Sequence, residues 1–333
     1  MLKILILICI LAIFFYLFCN KKKEDYTTLF NNDFFTYLEN NGYKIDKDEK
    51  VIYGKDNYYI SYYRYFNTYD SARIADDKTL SSSLLSSKNI PVPKFFGLNR
   101  NNYNKIEYLF KENNLTFPIV AKRVDGSFGN GIETNIPDML SLKNISKELL
   151  SRYKTIQIEE QGKGNCYRIL VFNNQIIDVI CREKPYVIGN GKNSILELIE
   201  IKNNELIKIK YNFRINNYND RYLDSQGFKI NQIPPNGVKV YITNVINYHN
   251  GANSYRIDLS KIPTCNKNLF LDTAKAMNIK CSGIDYLSDD ITIPFYENSG
   301  KILELNCRPD IDIHLENQPK YNNFYEAILK NLK

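Results

Sequence analysis

The chain opens on an unbroken apolar run. Ile4–Cys19 carries no charge and is bracketed by Lys3 on one side and by Lys21-Lys22-Lys23 on the other. A helix rises 1.5 Å per residue, so the run falls slightly short of a hydrocarbon crossing, which Met1, Leu2 and a snorkelling Lys3 extend. Leu17-Phe18-Cys19 is a poor match to the small-residue site cut by signal peptidase. The run therefore reads as a single-pass transmembrane anchor, with a cleaved signal and a buried core helix as its competitors. The lysine cluster behind it puts the body on the cytoplasmic side of the membrane.

Behind the lysines, residues 24–70 form an N-terminal segment rich in tyrosine and asparagine, strand-like near Asn57–Tyr63 and without chemistry that can be named. The pattern then sharpens. Asp76 or Asp77 can cap a helix whose apolar face is Leu80, Leu84 and Leu85 and which Pro91 and Pro93 end. Residues 117–134 read as a strand, a glycine-rich turn and a second strand. IQIEE alternates as a strand does, and CYRILVF and QIIDVICRE flank Asn173-Asn174, a plausible two-residue hairpin. ILELIEIKNN has helical periodicity, as has Leu269–Met277, which leads into the strand CSGIDYLS. ITIPFYENSGKILELN reads as a hairpin turned at Asn298-Ser299-Gly300. The composition of the body is that of an ordinary globular α/β protein.

Composition narrows the partners. Lys and Arg number 44 against 37 Asp and Glu, a net charge of +7, but the signs interleave along most of the chain instead of forming the basic stripe of a nucleic-acid binder. No nucleic-acid partner is expected. Seven scattered cysteines without a CxxC pair fit a reducing compartment. With His249 and His314 the only histidines, an imidazole-ligated zinc site has little support.

Three places carry chemistry. In VDGSFGNGI, residues 124–132, Gly126, Gly129 and Gly131 permit close backbone approach, so successive N–H groups can line an anion site; alone, the loop reads equally as a tight hairpin. It matches neither the P-loop nor the dinucleotide glycine pattern. Lys122 precedes the loop on a strand, facing away from Ile119 and Ala121, and Lys78 stands at a helix start; both have the plain reading of solvated lysines. Glu304 and Asn306 alternate onto one sheet face, and Asp285 joins them if the strands IDY and ILELN are neighbours. An oxygen-only donor set suits Mg²⁺, against the plainer reading of polar residues on an edge strand.

The ordered series is more specific than its parts. DK…IPVP, FPIVAKRVDGSFGNGI, IQIEEQGKGNCYRILV, GIDY and ILELNCRP resemble the ATP-grasp superfamily, in particular the ATP-grasp domains of cyanophycin synthetases and bifunctional glutathione synthetases. The likeness runs from about Ser71 to His314 and takes in CREKPYVIGNGKNSILELI and NVINYHNGANSYRID. It implies two α+β lobes clamping ATP, in an ATP-grasp domain of residues 71–333 behind the anchor of residues 1–23. It also implies that Lys78 and Lys122 hold the α- and β-phosphates, that Gly126, Gly129 and Gly131 close over the β/γ end, and that Glu159 meets the adenine edge. By the same resemblance Asp285, Glu304 and Asn306 bind two Mg²⁺ (or Mn²⁺), Glu304 bridging them. Arg182 and Lys122 are then the catalytic candidates, Arg182 steadying a substrate carboxylate or acyl phosphate.

The implied function is an ATP-dependent carboxylate–amine ligase acting on small molecules such as amino acids or peptides through an acyl phosphate. The alternative is an inactive nucleotide-binding scaffold tethered to a membrane. Departures from the pattern bear on that choice: Cys166 stands where an acidic residue is usual, which the resemblance implies as a ribose contact, Asn190 replaces the aspartate of GDG, Asp310 replaces a glycine, and Arg308 precedes Pro309. None removes an expected phosphate or metal ligand. A chain of 333 residues has no room for the second catalytic module of the resembling synthetases, so a single ligation is the expectation.

Overall fold

The computed structural model describes residues 32–46, 51–53, 59–61, 67–125, 131–209, 215, 218–243, 246, 251–309, 312–315 and 330. The apolar run Ile4–Cys19 lies outside them, and among the described residues no helix is long and apolar enough to cross a membrane.

The helix Asn32–Asn40 is followed by three short antiparallel strands, β1 (Lys44–Asp46), β2 (Val51–Tyr53) and β3 (Tyr59–Ser61). Of the strand expected near Asn57–Tyr63, only β3 lies among the described residues. Two short helices, Tyr69–Asp76 and Lys78–Ser87, come next and are divided at Asp77. Its extended backbone ends the first, and its Oδ1 accepts from Leu80 N–H at 2.9 Å to cap the second. The helix Tyr69–Asp76 straddles the domain boundary expected at residue 70.

The first large sheet joins β4 (Phe95–Asn99), β5 (Ile119–Arg123), β6 (Ile132–Ile136) and β7 (Thr155–Glu160) in the order β4-β7-β5-β6, all antiparallel. Its strands alternate. Phe96, Leu98, Ile119, Ala121, Ile156 and Ile158 bury one face against the helices Ile106–Glu112 and Met139–Arg152. Val120, Lys122, Gln157 and Glu159 fall on the other.

The second sheet has five antiparallel strands: β8 (Asn165–Phe172), β9 (Gln175–Glu183), β12 (Asn253–Arg256), β13 (Cys281–Ser288) and β14 (Lys301–Asn306), in the order β12-β9-β8-β13-β14. Asn173 and Asn174 turn β8 into β9 with φ of 43° and 62°, the paired positive values of a tight two-residue hairpin. The core face, with Tyr167, Ile169, Val179, Cys181, Ile284, Tyr286, Ile302 and Leu305, packs on the helix Thr264–Ala276 and on Ala72, Ala75 and Leu85 of the two short helices. Between β9 and β12 a small lobe forms around β10 (Tyr186–Ile188), β11 (Lys239–Tyr241) and the helices Ile195–Ile209 and Asp220–Ser225, with its own core of Val187, Ile195, Ile199, Leu223, Val240 and Ile242.

Two expectations are corrected here. ITIPFY is no strand: Ile291–Ser299 is a run of turns, and β14 pairs with β13 instead. Pro294 has no N–H for a ladder. The fully buried Asn266 takes the segment's polar groups, donating to the carbonyls of Ile291 and Ile293 and accepting from Phe295 N–H. Leu80 is 46 % exposed, so the apolar face of the helix Lys78–Ser87 is carried by Leu84 and Leu85.

Asn67 pins the open end of the second sheet. Its amide donates to the carbonyls of Cys281 and Cys307 at 2.8 and 2.7 Å, and its oxygen accepts from the N–H groups of Lys280 and Cys281 at 2.8 and 3.0 Å. One buried side chain thus ties together the start of β13 and the residue after β14. Asn67→Ala leaves these backbone groups unsatisfied at a cost of about 3 kcal/mol. Differential scanning fluorimetry should show the melting temperature fall by about 5 °C or more, and an unchanged transition would reject the clamp.

Candidate functional site

The polar faces of the two large sheets look onto a common cleft, and the helix Lys78–Ser87 bridges them. Leu85 of this helix enters the core of the second sheet, while Thr79 donates its hydroxyl hydrogen to Gln157 Oε1 of the first at 3.2 Å. Gly97 leaves room for Thr79, since a Cβ there would sit 3.3 Å from its methyl group. The N–H of Lys78 donates to the carbonyl of Val124, which fixes the helix start beside the root of the glycine loop.

On the first sheet Lys122 is no solvated strand lysine. It is 5 % exposed, and its Nζ lies 2.7 Å from Oε1 of the equally buried Glu159. The strand register explains the pair: Lys122 faces Gln157, and Glu159 is the diagonal neighbour on the same face. Gln157 Nε2 donates to the other Glu159 oxygen at 2.8 Å. Glu159 thus sits within the sheet beside Lys122, and the segment joining the two large sheets begins only after Glu160. Gly131 closes the β5–β6 hairpin with φ of +73°, its carbonyl accepting from Arg123 N–H at 2.9 Å. Gly126 and Gly129 lie outside the described residues.

On the second sheet the expected neighbours meet. Asp285 on β13 is directly opposite Glu304 on β14, and Gly283 opposite Asn306. The register then slips between Asp285 and Tyr286, leaving Leu303 as an extra residue on β14. That bulge lets Ile302 and Leu305, three apart, both reach the core while Glu304 and Asn306 stay on the cleft face. Asn306 Nδ2 donates to Glu304 Oε1 at 3.2 Å, and Lys78 Nζ lies 3.4 Å from Oε2.

Burial alone would raise the pKa of Glu304. The cations of Lys78, Lys122 and Arg168, together with the Asn306 amide, overcome it and hold the group down to about 2. Its side chain is 30 % exposed, so solvent screens part of this field. Glu304 is therefore a carboxylate at any working pH. Its coupling to both lysines brings the two sheets and the bridging helix onto one point.

Arg182 of β9 reaches across β8 to Asp285, its Nη2 lying 2.8 Å from Oδ1 and donating to Cys166 Sγ at 3.0 Å. Burial works against its charge, but Asp285 more than compensates, and the guanidinium pKa is raised. The pattern-based reading missed Arg168 as a site residue. It stands directly opposite Asp285 on β8, with Nε 2.7 Å from Oδ1 and Nη2 3.4 Å from Oδ2. The signal was present in CYRILVF, where Arg168 interrupts the apolar phase of an otherwise buried strand. Gly283 makes its space: a Cβ there would lie 2.5 Å from Arg168 Nη1.

All the expected residues that are described, except Gly131 at the hairpin root, line the cleft face of one sheet or the bridging helix. The remaining departures are local. Asn190 shapes its own turn, its Oδ1 accepting from the N–H groups of Lys192 and Asn193. Arg308 is an exposed partner of Asp76, and Asp310 lies outside the described residues. Among the described residues no three His, Cys, Asp or Glu side chains gather as a metal site. The expected set is two cross-strand carboxylates and an amide, all hard oxygen donors, and it fits a magnesium-type ion in chemistry.

Residues 75–186 match the RimK-like ATP-grasp domain. The chain is 31 % identical over 259 residues to the glutathione biosynthesis bifunctional protein of Clostridium perfringens, covering 74 % of this chain and 32 % of that protein. It is 27 % identical over 251 residues to the cyanophycin synthetase of Trichormus variabilis, covering 73 % of this chain and 27 % of that one. The chain therefore spans about a third or less of the length of these relatives. A crystal structure of a bifunctional glutathione synthetase from Pasteurella multocida shares the fold with a TM-score of 0.62 at 19 % identity, over 92 % of this chain and 44 % of that one. The chain carries a RimK-like ATP-grasp domain and is homologous to the ATP-grasp ligases among cyanophycin synthetases and bifunctional glutathione synthetases.

Proposed function

We propose that the chain is an ATP-dependent carboxylate–amine ligase that forms an amide bond through an acyl phosphate. One observation carries the reading: Lys78, Lys122, Arg168 and Arg182 converge with Asp285, Glu304 and Asn306 on one cleft between two sheets. Lys78 and Lys122 would hold the phosphates, Glu159 the adenine edge, and Gly126, Gly129 and Gly131 would close over the transferring end. ATP-grasp ligases use ATP with Mg²⁺ or Mn²⁺; Asp285, Glu304 and Asn306 would hold the ions, whose charge offsets that of the moving phosphoryl group. For this, Asp285 and Glu304 exchange their present cationic partners, which frees Arg182 for the substrate.

A donor carboxylate oxygen attacks the γ-phosphorus, the bond to the ADP oxygen breaks, and Arg182 steadies the developing acyl phosphate. The amine nitrogen then attacks the acyl carbon, phosphate departs, and the amine gives up a proton. Closure of the glycine loop keeps water from the acyl phosphate. The relatives' names concern glutathione and cyanophycin, which supports amino-acid or peptide substrates.

The same reading tethers this body to a membrane through Ile4–Cys19, with Lys21–Lys23 and the catalytic part on the cytoplasmic side. Its support is the charge-free run and the lysine asymmetry. Expressed full-length protein should stay in the membrane fraction after alkaline carbonate washing and keep its N-terminus. A mature protein beginning after Phe18 would end that part of the proposal.

Because every expected metal ligand is an oxygen donor, ATP should bind tightly only with Mg²⁺ or Mn²⁺ present. Titration calorimetry giving equal affinity in EDTA would reject the metal assignment. The roles of Lys122 and Glu304 separate ligation from mere nucleotide binding. Lys122 contacts phosphate throughout, so its loss should weaken ATP binding and turnover together. Glu304 would act mainly as charge moves in the transition state, so Glu304→Gln should keep much of the ATP affinity while the rate falls by about 10² to 10³. Amine-dependent ADP release, measured against pools of amino acids and small acids, reads this out. A folded Glu304→Gln protein with an unchanged rate would reject the mechanism.

A further inference from the structure

The small lobe between β9 and β12 carries a surface that the ligation chemistry does not use. Ile188, Leu196 and Ile233 are 53, 39 and 52 % exposed, each beside a chain neighbour that is buried: Val187, Ile195 and Pro234. The three belong to two segments that backbone hydrogen bonds lock into one tip. Gly189 N–H donates to the Val238 carbonyl, and the Gly189 carbonyl accepts from Gly237 N–H. Gly191 N–H donates to Pro234, Ile195 N–H to Gln232 and Leu196 N–H to Ile230. Gly189 lies so close to the paired prolines that a Cβ there would meet the Pro235 carbonyl oxygen at 2.2 Å. A fixed backbone therefore holds these side chains out. One exposed aliphatic residue needs no explanation, but three on one knitted tip mark an interaction surface.

The charge around them is one-sided. No Asp or Glu occurs between Glu183 and Glu197, nor between Asp224 and Asp258, in a chain that carries 37 acids. Both acid-free stretches contribute to the tip, and each presents an exposed lysine there, Lys192 and Lys229. The Lys192 N–H donates to Asn190 Oδ1, which fixes the turn that carries it. Lys229 lies 2.6 Å from Asp224, but their side chains are 75 and 45 % exposed, and such a pair contributes little and exchanges readily.

We propose that this tip docks onto an anionic lipid bilayer, with Ile188, Leu196 and Ile233 entering the headgroup boundary and Lys192 and Lys229 meeting the lipid phosphates. Aliphatic side chains ringed by cations, with no acid among them, match the composition of a leaflet interface. The inference rests on the tether reading for what brings a bilayer within reach, and on the tip for a second, separate contact. A tether alone holds the body at one point. A docked tip also fixes which way the small lobe, and the cleft beside it, face.

The chain contains no tryptophan, so one introduced at the tip reports alone. Full-length Ile233→Trp is reconstituted into phosphatidylcholine vesicles, with or without phosphatidylglycerol, whose acyl chains carry bromine. With phosphatidylglycerol present, its emission should shift to the blue and be quenched by the bromines. Tyr108→Trp, at a 60 % exposed position of the first lobe, should show neither effect. Lys192→Gln and Lys229→Gln, each added to Ile233→Trp, should lower the docking equilibrium about fivefold apiece, and added salt should weaken it further. Should Ile233→Trp fail to fold, Ile188→Trp takes its place with the same expectation. An unquenched tip in phosphatidylglycerol vesicles, equal quenching of Tyr108→Trp, or quenching that neither lysine substitution changes overturns the docking. A blue shift without bromine quenching, the sign of a protein partner or a second copy, overturns it as well. The tether is judged separately: protein that does not float with pure phosphatidylcholine vesicles rejects the anchor. That protein, added to phosphatidylglycerol vesicles, still decides the docking by the presence or absence of the same quenching.

Discussion

The rest of the structure depends on the burial of several charges in one cleft. Lys122 meets Glu159, Lys78 meets Glu304, and Arg168 and Arg182 meet Asp285, all at or below 3.4 Å. Such pairs are a poor way to stabilise a fold. Desolvating both partners consumes most of the attraction, and apolar replacements of the same size are often as stable. Their persistence at the junction of two sheets and a bridging helix is therefore better explained by a charged ligand than by stability. The fold accommodates them locally. The Leu303 bulge keeps Glu304 and Asn306 in the cleft without exposing Ile302 or Leu305, and Gly283 clears space for the Arg168 guanidinium.

Short contacts join the two large sheets beside the cleft. The link from β7 to β8 is three residues of chain past Glu160 and then Gly164, which has φ of +109° and where a Cβ would lie 2.6 Å from the Ser288 carbonyl carbon. Glu160 itself pairs with Lys301 of β14, one residue of the first sheet reaching the second. Its pKa is lowered: burial opposes this, and the Lys301 contact and the Lys94 backbone override it. The connection is short, charged at one end and tightly packed at the other.

Much of this was legible in the sequence wherever one face of an element is apolar and the other carries its chemistry. Lys122 against Ile119 and Ala121, and Glu304 with Asn306 on β14, follow from period-two alternation, and Asn173-Asn174 is a turn chosen by residues that tolerate positive φ. What escaped depended on partners distant in sequence. Asn67 looks like one more polar residue in an asparagine-rich segment until β13 and β14 arrive beside it. ITIPFY has the composition of a strand, and only the proline and the remote Asn266 amide make it a turn. Arg168 was visible as a polar interruption, but its importance rests on Asp285, more than a hundred residues away.

The balance of charge differs between the two sides of the cleft. Around Lys122 and Lys78 each cation meets one carboxylate. Around Asp285 two guanidiniums meet one carboxylate over a neutral thiol. A buried excess charge is tolerated only if something completes it.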